Sequence, residues 1–274
     1  MDMLKTVRAF VVLVAIFLAL PLAGYAADDF AKKYGVDIMI GGSYYNMTDI
    51  NNFLADQDFI ATDPEKINIG TQIGIALLYR SDPGFGWQIG HSRLFAGVPG
   101  IAEQKFKHEA ILTSKGASLV STAEQRVSGG ESYILGTFYT NTGPVELSLG
   151  IGPSIYSATL ERTVVLYQSA GLNAPASPSA FTDATGWSMG FIAKVGIELD
   201  FSEQTGLAFE VGGRYAKVAK LSWEDPNNQD NVTIVRMNSY SNATLPVDFS
   251  GMFAKLTLRK YFEPASGWHQ TRRK

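Results

Sequence analysis

The sequence predicts an all-β fold: an antiparallel up-and-down transmembrane β-barrel of eight strands. Three observations carry the prediction. Long segments alternate with period two. One face of each is apolar, while the other mixes glycine with charge. Long and short connections follow one another in strict alternation. Successive side chains of a strand point to opposite faces, so such alternation describes a wall with two different sides.

The first element is a targeting segment. Lys5 and Arg8 precede an apolar run, Ala9 to Leu20, which Pro21 ends; small residues follow at Gly24-Tyr25-Ala26-Ala27. This is the layout of a secretory signal peptide, assigned to residues 1–26. The run is about a dozen residues, short of the roughly 20 that a membrane-crossing helix requires. Charges interrupt every later apolar stretch, as in Gly196-Ile197-Glu198-Leu199-Asp200, so no transmembrane helix is expected in the mature chain. With no cysteine it carries no disulfide, and a net charge of −3 without a basic stripe argues against a nucleic-acid partner. Residues 27–262 are assigned to the barrel and 263–274 to a basic periplasmic tail.

The strands are read as Val36–Met47, Ile67–Arg80, Gly86–Phe95, Ser132–Thr140, Val145–Ser157, Trp187–Phe201, Gly206–Val218 and Val247–Phe262. All are longer than the roughly 5–6 residues typical of soluble strands and meet the roughly 9–11 of a tilted membrane strand. From Trp187 to Phe201 the odd positions are almost all large and apolar, and the even ones include Gly190, Lys194, Gly196, Glu198 and Asp200. Small residues on the polar face leave room in a narrow lumen for a few large polar side chains. The lumen-lining candidates are Arg80, Glu146, Lys194, Glu198, Glu210, Arg214, Lys255 and Arg259. Both signs on one face fit an enclosed, paired interior.

Three connections are short: residues 81–85, 141–144 and 202–205. Four are long: 48–66, 96–131, 158–186 and 219–246. Short periplasmic turns and long outer loops form the outer-membrane pattern and place both chain ends in the periplasm. Phe85, Trp87, Tyr79, Trp187, Phe201, Tyr261 and Phe262 cluster near strand ends, as interfacial aromatic girdles do. Two places resist the scheme. In strand three, His91 and Arg93 share parity with Trp87 and Ile89. A bulge at Gly90, a rim position for Arg93, or a wall facing a cavity would each resolve this. In the second long loop, Ala110–Ser114 and Ala117–Ser121 read as a hairpin. It either extends the wall above the membrane, which the flanking charges favour, or adds a pair to make ten strands.

The last strand sets Met252, Ala254, Leu256, Leu258 and Phe262 on one face, and Lys255, Thr257 and Arg259 on the other. An amphipathic strand ending in Tyr261-Phe262 resembles the assembly signal of bacterial outer-membrane proteins, with Leu256, Leu258, Tyr261 and Phe262 as its core. Together with the leader and the loop pattern, the chain is similar to the small eight-stranded barrels of the OmpA-like and OmpW-like superfamily. That signal normally ends the chain, whereas here twelve residues follow Phe262. The resemblance implies a bacterial outer-membrane location, contact with outer-membrane lipid and lipopolysaccharide, and handling by the barrel-assembly machinery. For OmpW-like proteins it also implies a narrow channel for small or hydrophobic solutes.

Catalytic and cofactor motifs are lacking. No phosphate-binding loop, nucleophile elbow or zinc-protease helix is present, and His91, His108 and His269 have no metal-ligand spacing. No cofactor and no enzyme activity are expected. His91-Ser92 is the pair that suggests a lipid-modifying site, but neighbours on a strand point to opposite faces. Three classes remain: a channel, a non-conducting structural or adhesive protein working through its outer loops, and a lipid-modifying enzyme. Lys217 and Lys220, near the outer rim, are candidates for lipopolysaccharide phosphates. The apolar runs Val164–Tyr167 and Val232–Val235 either extend strands or line a vestibule for a hydrophobic ligand.

Overall fold

A computed structural model describes residues 32–55, 66–98, 102–103, 108–114, 117–141, 145–168, 178–202, 204–225, 228–234 and 244–262. The assigned leader (1–26) and tail (263–274) lie outside these. Eight strands form the wall: β1 (Tyr34–Tyr45), β2 (Ile69–Asp82), β3 (Phe85–Val98), β4 (Ala117–Asn141), β5 (Val145–Gln168), β6 (Pro178–Ser202), β7 (Thr205–Tyr215) and β8 (Gly251–Phe262). Each pairs antiparallel with its sequence neighbours, and β8 pairs with β1, so the sheet closes.

The stagger follows from the register. Partners traced once round the wall run Tyr34, Tyr79, Trp87, Gly136, Ile151, Ala193, Gly213, Met252 and back to Tyr44, ten residues further along β1. The strands therefore tilt, and eight tilted strands leave an interior that side chains can fill.

The hairpin of the second long loop extends the wall and adds no barrel strand. His108–Ser114 pairs with Ala117–Ala123, the outer part of β4. Strands β4, β5 and β6 run 25, 24 and 25 residues, about twice β1 and β7. They rise together on one side of the barrel. Ser222–Asp225 joins β6 through Thr185 and pairs with Asn228–Ile234, widening this projecting sheet. Val164–Tyr167 and Val232–Ile234 accordingly belong to strand extensions. Strand four begins at Ala117, well before the expected Ser132, because its outer half pairs without interruption with β5 from Leu119 to Tyr133.

The first long loop contains a helix, α1 (Thr48–Ala55), with Met47 and Ile50 buried at its start. Asn51 fastens it to the start of β2: its Oδ1 accepts from Ile67 N at 2.8 Å and its Nδ2 donates to Ile67 O at 3.2 Å. The last barrel strand is shorter than expected. Val247–Asp248 pairs instead with Lys217–Val218 above the wall, and the chain turns at Gly251. Gly251 has φ +149°, and a Cβ there would lie 1.9 Å from Tyr44 O. Only glycine suits both demands.

Strand three keeps its parity. Its ladder to β2 is regular from Trp87 to Phe95, with no bulge at Gly90. Gly90 instead makes room for a large neighbour: a Cβ there would meet the Tyr133 ring at 2.4 Å. Irregularities lie at the two ends of this pairing: at Ala96, where Gly70 pairs with Gly97 and Thr71 with Phe95, and at Ser81, where Arg80 pairs with Gly86 and Asp82 with Phe85. His91 and Arg93 thus stay on the outward face.

Candidate functional site

The two faces of the wall are chemically inverted relative to a soluble protein. Outward positions are aliphatic and bare: Ile75 is 62% exposed and Met252 71%, with Ile38, Ile40, Ile73, Leu77, Val195 and Leu258 alongside. Rings mark the short-turn end, where Phe85 packs on Trp87 at 5.3 Å and on Phe138 at 5.1 Å. No described helix is long and apolar enough to cross a membrane.

All eight lumen candidates point inward and are buried. The inward positions also hold Asp37 and Glu131. Among the described residues, the middle of the barrel therefore buries five cations (Arg80, Lys194, Arg214, Lys255, Arg259) against five carboxylates (Asp37, Glu131, Glu146, Glu198, Glu210). Desolvated charges persist only when paired, and these are paired throughout.

The pairs form three levels. Toward the short-turn end, Arg80 donates to Glu146 from both terminal guanidinium nitrogens, Nη1 at 2.9 Å, and stacks 3.7 Å over the Tyr139 ring. Tyr261 links this pair to the next level: it accepts from Arg80 at 3.1 Å and donates to Glu198 at 2.7 Å. Tyr261 is therefore a lumen residue and not part of an outer girdle. At mid-barrel, Arg259 binds Asp37 with two bonds, 2.7 and 2.9 Å, and also binds Glu198. Glu210 accepts from Lys194 at 2.6 Å and lies 3.3 Å from Lys255 Nζ. Further out, Arg214 lies 3.4 Å from Glu131 and donates to Gln72 at 2.7 Å and Ser43 at 3.0 Å.

Above the third level the interior becomes apolar. Tyr45, Met47, Ile50, Ile67, Leu94, Leu160, Val218, Leu221, Leu245, Val247 and Phe249 form one buried cluster, with Phe249 edge-on to Tyr45 at 5.4 Å. Helix α1 contributes Ile50, and the segment before Gly251 contributes Leu245, Val247 and Phe249. The interior is thus an ionic stack with an apolar cap.

Asp37 and Glu131 are not among the sequence candidates. Parity could have found Asp37, which alternates with Val36 and Ile38. Glu131 falls in the expected loop, one residue before the expected start of strand four. Of the assembly-signal residues, Leu256, Leu258 and Phe262 face outward and Tyr261 inward.

A second polar feature sits on the outward face. His91 Nδ1 lies 2.9 Å from Ser132 Oγ on β4, while Ser92, the neighbour suggested by sequence, is buried on the opposite face. Arg93 Nη2 donates to Ser128 Oγ at 3.1 Å. Among the described residues no cluster of His, Asp and Glu is arranged to hold a metal ion.

Fold and site together define a closed eight-stranded barrel with a lipophilic outer wall and a filled, ionic interior. No family model and no curated protein matches the chain. Solved structures do. OprG of Pseudomonas aeruginosa is 11% identical, with 86% of this chain and 100% of that one covered and a TM-score of 0.40. A major outer membrane protein of Thermus thermophilus is 12% identical, over 84% and 99%, with a TM-score of 0.43. The outer membrane protease OmpT of Escherichia coli is 10% identical, over 86% and 99%, with a TM-score of 0.40.

Proposed function

We propose that this chain is a bacterial outer-membrane barrel that does not conduct, and that it works through its wall and its outer rim. The aliphatic outward face supports membrane insertion: a bare apolar band of this kind is unstable in water and stable in lipid. The long-connection end, with its projecting sheet, faces the cell exterior, and the short turns face the periplasm. Outer-membrane lipid surrounds the wall, and the barrel-assembly machinery inserts it.

The observation that carries the sealed reading is the interior. Five buried ion-paired cations and five carboxylates fill the bore, and an apolar cluster covers them. A solute passing through would have to break charge pairs whose loss costs about 3–5 kcal/mol each. This favours a structural or surface-presenting role over a channel. His91 and Ser132 form a hydrogen-bonded pair, but among the described residues no carboxylate binds the His91 ring, so the proposal is non-enzymatic.

Planar-bilayer recording of folded full-length protein tests the reading. A flat trace, with folding verified by heat-modifiable gel mobility, is expected. Discrete conductance steps from the folded wild type would overturn it.

A further inference from the structure

Away from its two ends the outward face is apolar almost everywhere, and the exception there is local. His91 and Arg93 stand on β3 where the neighbouring row of β2 carries Ile75 and Ile73, their register partners. Toward β4 and β5 the same region carries Ser132, Ser128 and Ser157. Between them lies Gly130, paired with both Arg93 and Ser157. A Cβ on Gly130 would sit 2.9 Å from Ser157 Oγ and 3.3 Å from His91 Cε1. The two side chains therefore close over Gly130 from opposite sides, and the glycine is buried beneath them. The result is a polar patch on the outward face, made of His91, Ser132 and Ser157 over the buried Gly130, with Arg93 at its outer edge.

Arg93 differs from the cations of the lumen. Each of those meets a carboxylate. Among the described residues Arg93 has none within ion-pairing distance, and its one hydrogen-bond partner there is a neutral hydroxyl. The guanidinium does not lie flat at its own level. It reaches outward to Ser128, which pairs with Phe95, two residues further along the strand. This is the snorkelling posture of a cation seeking the polar boundary of a membrane. Still further out, Arg126 and Glu161 face each other at 3.7 Å and compensate one another. A guanidinium carries five N–H donors in a fork that matches phosphate oxygens, so Arg93 retains donors for an anion.

We infer that Arg93 and this polar patch bind the phosphate group of an outer-leaflet lipid, held sideways against the wall. Arg93 and the hydroxyls take the phosphate oxygens, His91 borders the site, and the acyl chains lie down the exposed Ile73 and Ile75 surface. The inference rests on the outer-membrane reading and adds to it a specific lipid contact. It also moves that contact from Lys217 and Lys220 to the β3–β5 side. Lys217 is engaged by Asp49 at 3.2 Å.

The test uses full-length protein folded into phosphatidylcholine nanodiscs and titrated with diphosphoryl lipid A, with bound lipid read by native mass spectrometry. Wild type is expected to prefer diphosphoryl over dephosphorylated lipid A. Arg93→Gln is expected to weaken that binding about tenfold, the loss of one charge-assisted contact. Lys260→Gln, an outward cation at the other end of the wall, is expected to leave it unchanged. Equal binding by Arg93→Gln overturns the inference, as does equal binding of the dephosphorylated lipid. So does displacement by inorganic phosphate at matching concentration, which would mark a soluble-anion site. Loss of binding in a Lys217→Gln, Lys220→Gln double variant but not in Arg93→Gln also overturns it, as does a change of oligomeric state in place of lipid affinity. Protein that inserts yet shows no phosphate preference sinks this inference alone. Protein that fails to insert sinks the outer-membrane reading with it.

Discussion

Asp37 and Arg259 face each other directly across the seam where the last strand meets the first, joined by two hydrogen bonds of 2.7 and 2.9 Å. The residues are 222 positions apart in sequence. The pair lies inside the barrel at the one junction of the eight-stranded wall whose two strands are not consecutive in the chain. Replacing Asp37 by Ala leaves Arg259 with one fewer partner in a desolvated site, and a loss of about 3–5 kcal/mol is expected. Urea unfolding of the barrel in vesicles measures it. The double variant Asp37→Ala, Arg259→Leu removes both charges and is expected to recover part of the loss. A double variant no more stable than the single one would show that the two side chains do not act as a pair.

Gly251 supplies a second prediction. Its φ of +149° and the 1.9 Å approach to Tyr44 O leave no place for a Cβ. Gly251→Ala is expected to cost at least about 2 kcal/mol through backbone strain and collision. Gly42 and Gly213 are the controls, because a Cβ at either meets nothing nearer than 3.7 Å. Alanine there is expected to change stability by no more than about 0.5 kcal/mol. The same unfolding assay ranks the three variants.

Lipid exposure of the wall can be tested on β8. Leu256 is half exposed on the outward face, midway along the strand. Leu256→Arg is expected to cost about 2–4 kcal/mol in vesicles, as for a cation near the bilayer midplane. A neutral result would mean that this face does not meet hydrocarbon.

Helix α1 is held over the outer mouth by Asn51, which grips both backbone groups of Ile67. Asn51→Ala leaves those groups unpaired in a part-buried site, worth about 1–3 kcal/mol locally. Hydrogen exchange is expected to speed up at Ile67 and through α1, with the amides of β1 and β8 unchanged. Uniform acceleration across the barrel would instead make α1 part of the global folding unit.

The comparison of sequence and structure divides along one physical line. Period two assigns each side chain to a face, and that assignment is local. It sufficed for the eight-stranded wall; it set Arg80, Glu146, Lys194, Glu198, Glu210, Arg214, Lys255 and Arg259 on one face, where the structure buries them, and Leu256 and Leu258 on the other, where they are half exposed. It left His91 and Arg93 facing outward, where the structure also has them. Turn residues located the short connections for the same reason. Helix α1 escaped although Ile50, Phe53 and Leu54 stand at helical spacing, because eight residues are too short a stretch to establish a period, and the helix is fastened to Ile67 by Asn51. The outer halves of β4, β5 and β6 escaped because only pairing with one another makes them strands.

What the tertiary structure alone decided is which residues meet. A stagger of ten residues round the wall determines that Arg259 reaches Asp37 and Glu198, that Tyr261 joins Arg80 to Glu198, and that His91 meets Ser132 and not Ser92. No short-range pattern encodes that stagger, since it is a property of the closed sheet. The sequence by itself determined a wall with one lipophilic and one ionic side. Closure of that wall brought the charges together in pairs, filled the bore, and left Arg93 facing outward without a carboxylate partner among the described residues.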